Sequence, residues 1–284
     1  MKNVYVSTTF YRDNSKIKDV LNFCKKHKIN NLELGSNHSY SKNFLNICKK
    51  YKFKYLVHNY FPIPKKSFVV NIASLDEKIR KRSISHIKRS IRFTKSLKSD
   101  LYTFHPGFMD DPKSSNISKK NYDFLWIENK KNNYDFVFRK MIKSLKEIVP
   151  YANKKKVKIA IETEGSLKKK NMLIMQRPTE YKKLFDYFKP NELGINVNFG
   201  HLNLASKAFK FSRNNFVNLL KDYIVAFEIS HNNRIEDQHL PIKKNQWYLK
   251  ILNNKKFINL KKILEFRNTS LKNIKSSVKI LKNI

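Results

Sequence analysis

Eight short apolar runs punctuate the chain, and their number and spacing limit its fold more than any other feature. They cover residues 4–7, 31–34, 55–58, 101–105, 157–162, 193–198, 224–231 and 263–266, each rich in Val, Ile, Leu or Phe. Between them lie stretches with helical spacing at 16–27, 42–51, 77–96, 136–153, 179–188, 211–220 and 271–281. In the third of these, Ile79, Ile84, Ile87, Ile91 and Phe93 form an apolar stripe among basic residues. Thr179 is placed to cap the fifth. Strands that alternate with helices build a parallel sheet, and eight is the number at which such a sheet closes on itself. A doubly wound sheet would need a glycine-rich turn after the first strand. Ser7-Thr8-Thr9-Phe10 offers none, and the whole chain has 5 glycines. No Gly/Ser-rich or Pro-rich linker divides it. The pattern predicts an α/β fold, a single (β/α)8 TIM barrel over residues 1–284, with the long polar stretch 106–134 acting as a lid.

The 284 residues carry 60 Lys and Arg against 22 Asp and Glu, a formal charge of +38. Such a charge draws polyanions: nucleic acid, anionic lipid or phosphorylated substrates. The excess is mostly Lys, however, and it is scattered from end to end. It also comes with abundant Asn, Ile, Phe and Tyr, all encoded by AT-rich codons. Codon bias explains the charge more simply than a ligand does. Two cysteines, Cys24 and Cys48, exclude a disulfide framework or a Cys-based zinc ribbon and suit a reducing compartment. No run approaches the roughly 20 apolar residues of a membrane helix. Met1-Lys2-Asn3-Val4-Tyr5-Val6 leads into a strand without the apolar core of a signal peptide. The expectation is a soluble, cytoplasmic protein with no membrane partner.

Barrel sites form at the C-terminal ends of strands, so the polar residues that close each run carry the functional information. The third run ends in His58 and the fourth in His105-Pro106-Gly107. The fifth ends in Glu162-Thr163-Glu164, and the sixth in Asn198-Phe199-Gly200-His201. The seventh ends in His231, followed by Asp237-Gln238-His239, and the eighth contains Glu265. Five of the eight histidines would therefore meet Glu162, Asp237 and Glu265 at one mouth. Mixed imidazole and carboxylate ligands favour a borderline divalent ion such as Zn²⁺, Mn²⁺ or Fe²⁺. Glu162 and Glu164 share a face by alternation, and either could be the ligand; Glu162 lies nearer the apolar run. Glu228 has the opposite parity to His231 and is expected to pair with a neighbouring Lys. His27, His38 and His86 are expected at the surface.

Taken as an ordered set, these segments resemble the xylose isomerase-like TIM-barrel superfamily over nearly the whole chain. The pieces that carry the resemblance are Val57-His58 followed by Val70-Asn71-Ile72-Ala73-Ser74, Phe104-His105-Pro106-Gly107, Ile161-Glu162-Thr163, Asn198-Phe199-Gly200-His201, Asp237-Gln238-His239 and Leu264-Glu265-Phe266. The superfamily includes sugar-phosphate isomerases and epimerases and the endonuclease IV group of apurinic-site nucleases. In the endonuclease branch the matching positions hold three zinc ions. The ligands implied here are His58, His105, Glu162, Asn198, His201, His231, Asp237, His239 and Glu265. Asn198 departs from the pattern, because the family has an Asp there and an amide is a weaker ligand. In the isomerase and epimerase branch one metal sits on the counterparts of Glu162, Asn198, His231 and Glu265.

The resemblance implies two chemistries. The first is a sugar or sugar-phosphate isomerase or epimerase dependent on Zn²⁺ or Mn²⁺, with Glu162 and Glu265 moving a proton through an enediolate. Phe10, Tyr60, Trp126 or Trp247 would stack on the sugar, and a Lys or Arg267 would hold a phosphate. The second is zinc-dependent cleavage of apurinic-site DNA, which would make nucleic acid the partner. The nucleases of the superfamily grip a kinked duplex through sizeable early loops. Here 7–19 and 36–42 are short and lack Arg-rich stretches, and Leu32-Glu33-Leu34-Gly35 is similar to the isomerase branch. The sugar enzyme is the favoured expectation. A barrel that has lost catalysis through Asn198 is the third.

Overall fold

The computed structural model describes residues 3–112, 114–117, 122–125 and 132–283. In chain order the strands are β1 (Val4–Ser7), β2 (Asn31–Leu34), β3 (Lys54–His58), β4 (Leu101–Phe104), β5 (Ser114–Ile117), β6 (Tyr122–Leu125), β7 (Lys158–Glu162), β8 (Gly194–Asn198), β9 (Ile224–Ile229) and β10 (Lys261–Leu264). Eight of them close a parallel ring in the order β1-β10-β9-β8-β7-β4-β3-β2, one strand for each apolar run. β5 and β6 form a separate antiparallel ribbon inside the 106–134 stretch. The helices are α1 (Ile17–Lys26), α2 (Phe44–Lys49), α3 (Glu77–Ser96), α4 (Tyr134–Lys155), α5 (Pro178–Phe185), α6 (Phe199–Ala208), α7 (Arg213–Leu220), α8 (Trp247–Leu252) and α9 (Leu271–Lys282).

Local chemistry explains where the sequence reading and the chain part. Thr179 does not cap α5. Pro178 takes the first helical position, and the Glu180 carboxylate accepts the Arg177 backbone N–H at 2.6 Å, so Arg177 is the cap. Two helices lie outside the expected set. Residues Phe199 to Ser206 of α6 are all buried, which removes the polar face that marks a helix in sequence. α8 has only 6 residues. The runs ending at His105, His231 and Phe266 pass beyond β4, β9 and β10, so those three residues stand in the loops above the strands.

Alternation along the strands sorts their side chains into two populations. Val57, Tyr102, Ile161, Val197, Phe227 and Leu264 belong to the large core between strands and helices. Tyr5, Leu56, Leu101, Ala160, Ala226 and Ile263 form a second, smaller cluster, the apolar floor of the barrel interior. Two residues further along those strands, on the same inward parity, stand Ser7, His58, Thr103, Glu162, Glu228 and Glu265. All six are buried. The barrel interior is therefore apolar at its base and polar toward the mouth.

His38 and His86 are buried, contrary to the surface placement expected, and His27 is half-buried against Phe23. His86 packs on the Tyr60 and Phe68 rings at 6.1 and 5.9 Å. His38 Nε2 lies 2.7 Å from Thr8 Oγ1. Burial pushes both imidazoles down from 6.5 to about 4. An unfolded imidazole takes its proton near its ordinary value while the folded one stays neutral. Stability is therefore full above that value and falls as the pH drops toward about 4. Each His should contribute roughly 3 kcal/mol to that fall. Denaturant unfolding across this range should show a flatter pH profile for His38→Gln and His86→Gln than for the parent chain. Identical slopes would refute the assignment.

Candidate metal centre

Register brings the strand ends level. His58 pairs with Thr103, Phe104 with Ile161, Glu162 with Asn196 and Asn198 with Glu228. The side chains at this rim form a closed circuit. Glu162 Oε1 lies 3.2 Å from His201 Nδ1, and His201 Nε2 lies 3.3 Å from Asp237 Oδ2. Asp237 Oδ2 meets His239 Nε2 at 2.7 Å, and His239 Nδ1 lies 3.0 Å from Glu265 Oε2. The Asn198 amide closes the ring, donating to Glu265 Oε2 at 3.3 Å and Glu162 Oε1 at 2.9 Å. Outside the ring, His58 Nε2 and His105 Nδ1 approach Glu162 Oε2 at 3.6 and 3.8 Å. His105 Nδ1 also holds Glu164 Oε1 at 2.6 Å, so both glutamates after β7 take part.

Electrostatics makes the ring a set of paired charges. Burial alone would raise the Glu162 carboxyl, but His105, His201 and His58 outweigh it and hold the group ionised. Asp237 is held well below its ordinary range by His239 and His201 in spite of burial. The opposite shift falls on the imidazoles. Burial pushes His105 down, yet Glu162 and Glu164 carry it up to about 9. His239 also reaches about 9, against burial and Arg267, because of Asp237 and Glu265. The protons on these imidazoles occupy the role a metal cation would take.

A divalent ion fits the donors. His58, His105 and Glu162 can place one ligand atom each within 4.8 Å of one another, and so can His201, Asp237 and His239. Each triad also contains a buried carboxylate oxygen that accepts no hydrogen bond, Glu162 Oε2 in one and Asp237 Oδ1 in the other. Eight of the nine predicted residues therefore meet at the mouth. His231 does not. β9 ends at Ile229, and the His231 backbone pairs with Leu240 through 2.8 and 2.9 Å hydrogen bonds. Its half-exposed ring feels burial and Lys243, both lowering its affinity for a proton, and touches none of the carboxylates.

Three inward polar residues, Glu33, Thr103 and Asn196, are given no place at the site from sequence, and a fourth, Glu228, is given the wrong partner. Glu228 does not pair with a Lys; it is buried and accepts from Asn196 Nδ2 at 2.9 Å. Its ligand atom groups within 4.8 Å of those of Glu162 and Glu265. Burial, followed by repulsion from Glu162, pushes its carboxyl well above the ordinary range. Glu33 shifts the same way through burial and Glu265. The usable signal was parity, because Phe227 and Ile229 are the large outward residues of β9 and leave Glu228 facing in.

The mouth opens into a cavity of about 1130 Å³ whose lining includes His105, Glu164, His201, Tyr60, Lys168 and Arg267. Tyr60, one of the four aromatic residues considered for a sugar face, is in that lining. Phe10 is sealed in the core, and Trp247 packs on Phe199 at 5.3 Å beneath the Arg213 guanidinium, so neither reaches the cavity. Trp126 lies outside the described residues.

Comparison with known proteins places the chain. Residues 19–284 match the family model described as the xylose isomerase-like TIM barrel, and the chain belongs to that family. It is 26% identical over 286 residues to the uncharacterized protein MJ1614 of Methanocaldococcus jannaschii, covering 98% of each. It is 25% identical over 217 residues to MJ1311 of the same organism, spanning 75% of this chain and 66% of that protein. Among solved structures, a D-tagatose 3-epimerase-like protein superposes with a TM-score of 0.75 at 21% identity, covering 99% of this chain and 96% of the other.

Asn198 gives this centre its test. Its Oδ1 caps α6 by accepting the His201 backbone N–H at 3.1 Å, a task Asp performs equally well. Asn198→Asp should therefore fold, add one carboxylate between Glu162 and Glu265, and raise Mn²⁺ affinity by roughly tenfold. Calorimetric titration of both proteins should also record proton release on binding, since His105 and His239 hold protons up to about 9 and must lose them to ligate. Unchanged or weaker affinity in the variant would overturn this account of the position.

Proposed function

We propose that, as a member of this family, the chain is a divalent-metal-dependent isomerase or epimerase of a sugar or sugar phosphate, using Zn²⁺ or Mn²⁺. The observation that carries the reading is the placement of Glu162 and Glu265 on β7 and after β10, tied together by one Asn198 amide beside an open cavity. A bound ion would polarise vicinal carbonyl and hydroxyl oxygens and acidify the hydrogen on the hydroxyl-bearing carbon beside the carbonyl. Glu162 and Glu265 are both held in the ionised form, so either can accept that hydrogen as a proton. Glu265 lines the open cavity, where it would take up a proton from solvent and return it to the opposite face, with His239 Nδ1 at 3.0 Å holding the carboxylate in place. Lys168 and Arg267 line the cavity where a substrate phosphate would sit, and Tyr60 offers a ring to the sugar. The name of the D-tagatose 3-epimerase-like neighbour agrees in kind with this chemistry.

A second reading rests on the two His/carboxylate triads. Together they suit phosphodiester hydrolysis at a multi-metal site better than they suit a single ion, and His231 is missing from the one-metal set. The connection from β1 reaches α1 within 9 residues, including the short 3₁₀ turn Thr8–Phe10, which leaves little loop to grip a duplex.

Incubating Mn²⁺-loaded protein with a panel of ketoses and ketose phosphates in heavy water separates the readings. Deuterium should enter the carbon beside the carbonyl, and Glu162→Gln or Glu265→Gln should each slow exchange by roughly 10²-fold or more. No exchange with any ketose, together with cleavage of an abasic-site duplex, would replace the first reading with the second.

A further inference from the structure

Below the mouth, Glu33 on β2 and Glu228 on β9 face each other inside the barrel, with His58 of β3 beside them. Each can place one ligand atom within 4.8 Å of the other two. Glu33 and Glu228 are wholly buried and His58 is 4% exposed. Both oxygens of Glu33 and Oε1 of Glu228 are buried without a hydrogen bond of good geometry, and so is the hydroxyl of Ser7, which stands beside Glu33 in the sheet and is, with Glu228, its nearest side-chain partner. Asn196 fixes the other Glu228 oxygen at 2.9 Å, and Thr103 Oγ1 fixes His58 Nδ1 at 2.9 Å. The chain thus holds two side chains in place from outside and leaves their free donors aimed at one point.

Among the described residues no Lys or Arg is buried beside that point. Among the described residues the only buried bases other than histidine are Arg80 and Lys262. Arg80 binds Glu77 and Glu147 between α3 and α4, and Lys262 donates to the Ile258 carbonyl. Without an ion these two buried carboxyls stay neutral by holding protons, and a small divalent cation that displaced those protons would match the two charges released.

We propose that Glu33, Glu228 and His58 bind an interior divalent cation, separate from any ion at the mouth. Two carboxylates and an imidazole suit a borderline ion such as Mn²⁺ or Zn²⁺. Thr103 holds Nδ1, so His58 has only Nε2 to give, and its use here leaves the first mouth triad to His105, Glu162 and Glu164, with His105 Nδ1 2.6 Å from Glu164 and 3.8 Å from Glu162. With both carboxylates neutralised, the ion would tie β2, β3 and β9 together under the catalytic pair.

Stripping the full-length protein with chelator, reloading it with Mn²⁺ and counting ions by elemental analysis tests this directly. The parent chain should retain one more ion than Glu33→Gln/Glu228→Gln; equal counts in folded proteins overturn the proposal. If the double variant does not fold, parent crystals soaked in Mn²⁺ decide the matter. An anomalous peak between the Glu33 and Glu228 carboxylates is expected, and its absence overturns the site. An interior peak with none at the mouth would instead count against the mouth centre alone.

Discussion

The upper interior of this barrel is lined with acids, and the arrangement of the site follows from the need to neutralise them. Glu33, Glu162, Glu228 and Glu265 are buried together, with no Lys or Arg among them. An isolated carboxylate in such surroundings either takes a proton or finds a cation. The chain uses both means. Glu162 and Glu265 sit against imidazoles and remain ionised, while Glu33 and Glu228 lie deeper, away from all but His58, and shift toward the neutral form. The histidines at the rim are the proton-bearing half of that balance, and a metal ion would replace their protons without disturbing the acids.

This inward concentration of acid changes what the net charge means. Seven acidic side chains are buried among the described residues, against two Lys or Arg. The outer surface is therefore more positive than the chain total of +38 suggests. Codon bias can be the source of the lysines and the field can still act. A potential of that sign raises the local concentration of anionic solutes at any opening, whether or not a dedicated patch exists. Lys168 and Arg267 at the cavity wall extend the field to the mouth. A phosphorylated sugar would feel it where a neutral one would not.

The barrel was legible because each strand is an apolar run of strand length, and tertiary packing does not alter that pattern. All eight strands and the length of α3 could be read from residue order alone. α6 could not, since a helix buried on every side has no periodic contrast to detect. Of the nine residues that the resemblance implies as ligands, eight gather at the mouth, most of them polar groups that close an apolar run. Strand-end polarity failed at His231, where a two-residue bridge to Leu240 turns the ring away, and at Glu228, which parity alone would have turned inward. Pairing with a distant residue decided the first, and no local rule predicts it. The second was a matter of weighing alternation above motif.

Asn198 decides how the two halves of the centre relate. Its Oδ1 is committed to the α6 cap, so the amide is oriented and its Nδ2 must face Glu162 and Glu265. Rotating the amide to offer oxygen to an ion would give up the cap at about 1 kcal/mol and both carboxylate bonds as well. The amide therefore remains a donor. An ion is then directed to the His/carboxylate triads on either side, while Glu162 and Glu265 keep a fixed spacing without one. An aspartate would add charge for the metal but could not bridge two carboxylates. Asn in place of Asp exchanges metal affinity for a carboxylate pair of fixed spacing, the geometry on which the proposed proton transfer rests and one that a fully loaded three-ion cluster would not need.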